Sequence, residues 1–397
     1  MIRPTILLGV LLAGCRGEPP GAASPLRLDQ LVDSLRPAVE SAVGLAFLRS
    51  PRSEYVSKDA VRSYLLARVE KEYPPSRLEG IQAGYRLLAL LPDTLDLLRL
   101  LLELYEEQVA GYYDPDSARL YAVRGSDPVQ LRLVMAHEMV HALQHQYLPL
   151  DTLMGQRGDG DRLAAAQAVL EGHATVASAR ILTPGRDVIP DPAFWETYRE
   201  QIRNQQRTMP VFASAPLVLR EGLIFPYLAG AEFVRWWLEH RKTPLPRREE
   251  LPQSTEQILH SERYASGDAP LAVRFTDSTE TSLLEDTLGE MEVQVLLAVL
   301  RGADGAATAA PLGWGGDRLR VFRTDGGPGL VWYSVWDRPQ FAERFARQTS
   351  TGFTGHARPG YRLAVEQVTV SGRPGVRLVH APIAWRGWER LPKAEIR

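Results

Sequence analysis

Apolar positions recur at helical spacing over residues 28 to 48, 57 to 73 and 92 to 108, the last opening at Pro92-Asp93. That pattern predicts three amphipathic helices early in the chain. Gly111-Tyr112-Tyr113 and Leu120-Tyr121-Ala122-Val123, joined across Asp114-Pro115-Asp116, then read as a short hairpin. Asp127-Pro128 supplies an N-cap and a first-turn proline for the next helix. Leu131, Leu133, Val134, Met135, Met139, Val140 and Leu143 make that helix apolar on more than one side, so it belongs inside the protein. Asp161 is placed to cap a further helix through Leu163–Thr175, whose alanines and Gly172 permit a second backbone to come close. Residues 216 to 240 form another helical stretch with a break expected at Pro226; its aromatics Phe225, Tyr227, Phe233, Trp236 and Trp237 are expected in the core. Beyond residue 265 the pattern changes. Strand-like runs at 271–276, 319–323, 330–335, 361–369 and 374–380 alternate with helix-like runs at 284–301 and 338–348. No fixed-period repeat or low-complexity tract appears.

Composition adds bounds rather than detail. With 397 residues, 45% hydrophobic and 24% charged, the chain is globular and long enough for two packed units. These are expected at 26–265 and 266–397. The fold class is α+β: a mainly helical core with a short hairpin before its central helix, and a smaller α+β C-terminal unit. A net charge of −2, with no Lys/Arg cluster, argues against nucleic acid as a partner.

The central helix carries the chemistry. It contains His137-Glu138-Met139-Val140-His141, an H-E-x-x-H pattern. Residues four apart on a helix lie one turn apart on the same face, so both imidazoles can reach one zinc ion. Glu138 stands beside them and points toward a water on the metal. Two histidines and a carboxylate without partners would be costly inside an apolar helix, and a metal removes that cost. A metzincin would need Gly at 144 and His or Asp at 147; Gln144 and Tyr147 exclude that subclass. His145 is one further turn along, but a third ligand is usually brought by another element. Downstream, Glu171 and His173 both qualify.

The stretch Leu170-Glu171-Gly172-His173-Ala174-Thr175 contains an E-G-x-A element, and with HExxH it resembles the gluzincins, the thermolysin-like clan of zinc metallopeptidases. The resemblance implies that Glu171, with 29 residues between it and His141, is the third ligand, with His173 facing another sector. Further stretches are similar to a family of uncharacterised bacterial metallopeptidase lipoproteins: EEQVAGYYDP (Glu106–Pro115) with LYAV, PQSTEQILHSERY (Pro252–Tyr264) and GWGGDRLRVFR (Gly313–Arg323). These mark family membership more than chemistry. The clan implies a zinc-activated water, Glu138 as general base, and an edge strand ahead of the HExxH helix that binds a peptide substrate by strand addition; the hairpin at 111–123 is the candidate. Oxyanion or substrate contacts are expected among Tyr264, His260, Tyr227 and His173, with His260 and Tyr264 one turn apart and facing the cleft together. One departure stands out. Thr175 occupies the place where the clan often sets a carboxylate behind a ligand histidine, so orientation must come from a carbonyl, from Thr175 itself, or from another acid. Two alternatives belong to other classes: a zinc hydrolase acting on a non-protein amide of the cell wall, and a non-catalytic lipoprotein module stabilised by zinc. Intact Glu138 counts against the latter, because a structural site needs no base.

At the other end, Arg3 precedes the apolar run Ile6–Gly14 and then Cys15, the single cysteine of the chain. The run is too short for a permanent span and fits a signal peptide. Leu12-Ala13-Gly14-Cys15 resembles a bacterial lipobox, which implies processing within 1–15, lipidation of Cys15 and a tether at 16–25. The expected location is the cell envelope, held by the lipid; Arg16 in place of Asp favours the outer membrane if the cell is Gram-negative.

Overall fold

The computed structural model describes residues 27–150, 153, 158–277, 281–303 and 311–397. The signal segment, Cys15 and the tether lie outside the described residues. The fold is α+β. It opens with α1 (Leu28–Val43), β1 (Arg52–Val56), α2 (Lys58–Glu72), α3 (Pro75–Leu87) and α4 (Leu97–Gln108). Next come the hairpin β2 (Gly111–Asp114) and β3 (Arg119–Val123), α5 (Pro128–Tyr147) and α6 (Gly160–Leu182). β1 pairs parallel with β3 and β2 antiparallel, giving the order β1-β3-β2 with β2 at an edge. α7 (Pro192–Arg207), α8 (Pro210–Ser214), α9 (Leu217–His240), α10 (Thr255–Leu259) and α11 (Ser261–Ala265) complete the helical part.

Several expectations shift. α4 begins at Leu97 rather than near Pro92, because Asp96 accepts the Arg99 N–H and serves as its cap. α6 begins before Asp161: Asp159 caps it through the Arg162 N–H. Asp161 instead accepts the backbone N–H and hydroxyl of Thr255, tying α6 to α10. α9 is not broken at Pro226; the helix runs through it, with Gly222 one turn earlier. The run 284–301 is not one helix. It is β5 (Ser282–Asp286) followed by α12 (Gly289–Leu300).

The remaining elements are β4 (Val273–Phe275), β6 (Trp314–Thr324), β7 (Gly327–Trp336), α13 (Pro339–Gly352), β8 (Tyr361–Val370), β9 (Arg373–Pro382) and β10 (Ala394–Ile396). β5, β6, β7, β9 and β8 form an antiparallel sheet in that order, and β10 pairs with β4. One apolar core runs from α2–α4 through α9 and α12 to this sheet, crossing residue 265 without interruption. A second joins α1 to α5 and the hairpin. α6 contributes to both: Ala165, Ala168 and Val169 to the first, Ala174 and Ala177 to the second. It is buried over nearly its whole length. Its tightest neighbour is α9, where a Cβ on Gly172 would stand 2.2 Å from the Gly230 carbonyl carbon. Only glycine at both places lets the two backbones meet, which seats Glu171 deep in the molecule.

Candidate metal centre

α5 and α6 bring three buried side chains together. His137 Nε2 lies 3.1 Å from Glu171 Oε2 and 3.1 Å from His141 Nε2, and His141 Nε2 lies 3.3 Å from Glu171 Oε2. Among the described residues this is the one group of three or more metal-type ligands gathered so closely. Tetrahedral zinc with bonds of about 2.0–2.1 Å places neighbouring donors roughly 3.3–3.4 Å apart, so the triangle fits that ion closely. A second observation agrees. Glu171 Oε1 is buried with no hydrogen-bond partner, an expensive state for a carboxylate that a cation would relieve.

The electrostatics express the same crowding. Burial pushes the His137 imidazole below its ordinary range. Burial also opposes charge on His141, but the facing Glu171 carboxylate overrides it and raises that group. Glu171, against its own burial, is held below the usual carboxylate range, chiefly by His141. The two histidines shift in opposite directions although both touch Glu171, because adjacent imidazolium ions would repel and one proton serves the pair.

Glu138 is buried beside the cluster and outside it. Its Oε2 accepts the Tyr113 backbone N–H from β2 at 2.7 Å. The phenol of Tyr113 in turn meets His145 Nδ1 at 2.8 Å, so His145 binds the hairpin rather than joining the ligands. His173 is not with the ligands either. Its Nδ1 lies 3.0 Å from Gln144 Nε2, and burial drives its pKa down to about 4. Tyr227 stands next to His137, ring centroids 6.1 Å apart.

The expected pair His260 and Tyr264 goes elsewhere. His260 Nε2 meets Glu290 at 3.0 Å, and the Tyr264 hydroxyl donates to the Glu250 carbonyl at 2.7 Å. His260 thus belongs to the junction of α10–α11 with α12, whereas Tyr264 packs against Phe233, Trp236 and Trp237 of α9. The structure also supplies a partner behind one ligand histidine. For His141 it is the first of the three expected sources, a carbonyl, supplied by a side chain: Nδ1 meets the amide oxygen of Gln144 at 2.8 Å. Two further residues escaped the sequence reading. The Tyr113 backbone N–H could have been suspected from the hairpin's position, whereas Tyr198 of α7, buried close to Thr175 and Glu171, gave no local signal.

Comparison with known proteins is sparse. Residues 279–382, the sheet region, match the model of a domain of unknown function, DUF8575. No curated protein and no solved structure matches the chain. The match lies outside α5 and α6, so the reading of the metal centre rests on the chain's own residues.

Proposed function

We propose that this chain is a zinc metallopeptidase whose metal is held by His137, His141 and Glu171. The observation that carries the reading is the buried triangle of donors with Glu138 next to it on the same helix. Zinc bound there would supply a Lewis acid and lower the pKa of a water toward ~7. Glu138 is one residue, about 100°, around the helix from His137, which suits it to water rather than to metal. It acts as general base on the attacking water and passes the proton to the departing amine. The Tyr113 N–H holds one carboxylate oxygen of Glu138 in place while it does so. Tyr227, beside His137, is the best-placed of the expected oxyanion donors. β2 is an edge strand next to Glu138, which supports an extended peptide as the substrate. Measuring metal content beside hydrolysis of an unstructured protein tests the reading: one zinc per chain and chelator-sensitive cleavage are expected, and a metal-free chain would refute it.

The anchoring proposal is separate. Among the described residues no helix is long and apolar enough to cross a membrane. The lipobox-like Leu12–Cys15 supports attachment through a lipid on Cys15 at the cell envelope. Membrane partition of the wild type, lost in Cys15→Ala, is the expected result; an unprocessed wild type in the cytosol would contradict it.

A further inference from the structure

The second nitrogen of His141 leads to a residue that the HExxH pattern does not include. Gln144 is fully buried one turn along α5, and its amide touches three groups. One end lies 2.8 Å from the Leu170 carbonyl and 3.0 Å from His173 Nδ1. A carbonyl only accepts, so this end is the NH2. The oxygen therefore faces His141 Nδ1 at 2.8 Å, and that nitrogen carries the hydrogen. In the neutral ring that a metal requires, His141 Nε2 is then left with its lone pair toward His137 and Glu171. The amide's orientation is itself fixed from further out. With Nδ1 accepting from Gln144, His173 donates from its other nitrogen to the Pro244 carbonyl, since proline has no N–H to give. Leu170 directly precedes Glu171, so the same amide ties the backbone carrying the third ligand to the helix carrying the first two.

We infer that Gln144 is a positioning residue for the metal centre, fixing the tautomer of His141 and the spacing of α5 and α6 through a neutral relay that ends at His173 and Pro244. The inference rests on the zinc reading above. An amide gives His141 an acceptor without delivering negative charge, whereas a carboxylate in that place would make the imidazole a stronger donor. It also accounts for His173, whose place beside Glu171 in sequence suggested a ligand. Its ring anchors the residue that orients a ligand.

The test is zinc affinity by competition with a chromophoric chelator, run on full-length wild type, Gln144→Leu and Gln144→Glu, with thermal unfolding of each metal-free form. Losing the partner of a ligand histidine costs about 10–100-fold in affinity, and that loss is expected for Gln144→Leu. Gln144→Glu keeps an acceptor for His141 Nδ1–H but loses the donor to the Leu170 carbonyl and His173 Nδ1, so its affinity should fall between wild type and Gln144→Leu and the acidic limb of the pH–rate profile should move upward. Wild-type affinity in Gln144→Leu, or a loss in Gln144→Glu as large as in Gln144→Leu, would overturn the inference. Should Gln144→Leu fail to fold, His173→Leu removes the outer link alone. A loss of about two- to tenfold is then expected, and unchanged affinity overturns the relay. A wild type that holds no zinc removes the metallopeptidase reading and this inference with it. Zinc held equally by wild type and Gln144→Leu removes only the inference.

Discussion

Two buried carboxylates in this molecule have opposite surroundings. Asp317 on β6 is answered completely by the protein: it accepts the Leu288 and Gly289 backbone N–H groups at 2.8 and 2.9 Å and the Trp314 indole N–H at 3.2 Å. Glu171 on α6 is answered by two imidazoles that already crowd each other, and its second oxygen has no partner. The first arrangement is finished without any addition, and it caps the start of α12. The second has its donors converging on a common point, where a cation would partner all three. Burial of an acid is therefore not the signature of a site. The signature is burial with partners that compete for the same space.

The comparison breaks most visibly under alanine. Glu171→Ala should weaken zinc binding strongly and abolish hydrolysis while leaving the fold, and His137→Ala or His141→Ala should do the same. Asp317→Ala should leave one zinc per chain and instead lower stability by about 2–4 kcal/mol, since buried donors lose their acceptor. Metal analysis and denaturant unfolding on the same four variants check both halves. Zinc lost from Asp317→Ala at full stability would reverse the assignment.

A smaller effect sharpens the structural side. Glu256, in the junction between α10 and α12, has its pKa raised to about 8, first by burial and then by the nearby Glu290. Its folded value exceeds the ordinary 4.5, so the folded state binds the extra proton between those limits. Its stabilising contribution is full below pH 4.5 and is lost as pH rises through about 8. Wild-type stability should decline across that window by up to a few kcal/mol, and Glu256→Gln should flatten the decline. Unfolding curves at several pH values decide it; parallel profiles for the two proteins would refute the assignment. Smallest of all is the effect at His173. His173→Ala should still bind one zinc at saturation, with affinity reduced far less than in Glu171→Ala. If His173→Ala empties the centre and Glu171→Ala does not, the ligand choice is wrong.

The two regions also differ in how much of them the sequence disclosed. α5 announced itself through Asp127-Pro128 and the HExxH spacing, and its cap is formed as expected by Asp127 on the Val129 and Gln130 N–H groups. The hairpin was equally legible, and Gly172 pointed to a close approach, though not to Gly230 as the other half. Long-range partners left no local trace. α3 was missed because Gly80 and Gly84 weaken its helical pattern; Gly80 is there because a Cβ would stand 2.8 Å from the Leu283 carbonyl on β5. β1 is five residues long and depends on pairing with β3, more than sixty residues away. The run 284–301 looked continuous because Leu284, Leu288, Met291 and Val295 keep helical spacing across the junction of β5 and α12. The turn between them depends on Gly289 at φ +78°, where a Cβ would collide with Asp161. The stretch from Gly313 to Arg323 likewise marks a fold requirement: Gly313 at φ +79° packs against Phe341, and Gly316 lies at a register shift where a Cβ would strike Leu271. His260 and Tyr264 were misplaced for a related reason. Helical spacing shows that two residues share a face, but it says nothing of what that face meets.

The central claim is that α5 carries a ligand pair and, between them, a base. Glu138→Gln keeps the size of the side chain and removes only its capacity to take a proton. The measurement is zinc content together with the rate of hydrolysis of an unstructured protein, on wild type and Glu138→Gln in parallel. The account predicts one zinc in each and a rate at least ~10²-fold lower in the variant, the low end for general-base catalysis. A zinc-loaded Glu138→Gln protein that cleaves at the wild-type rate would contradict it.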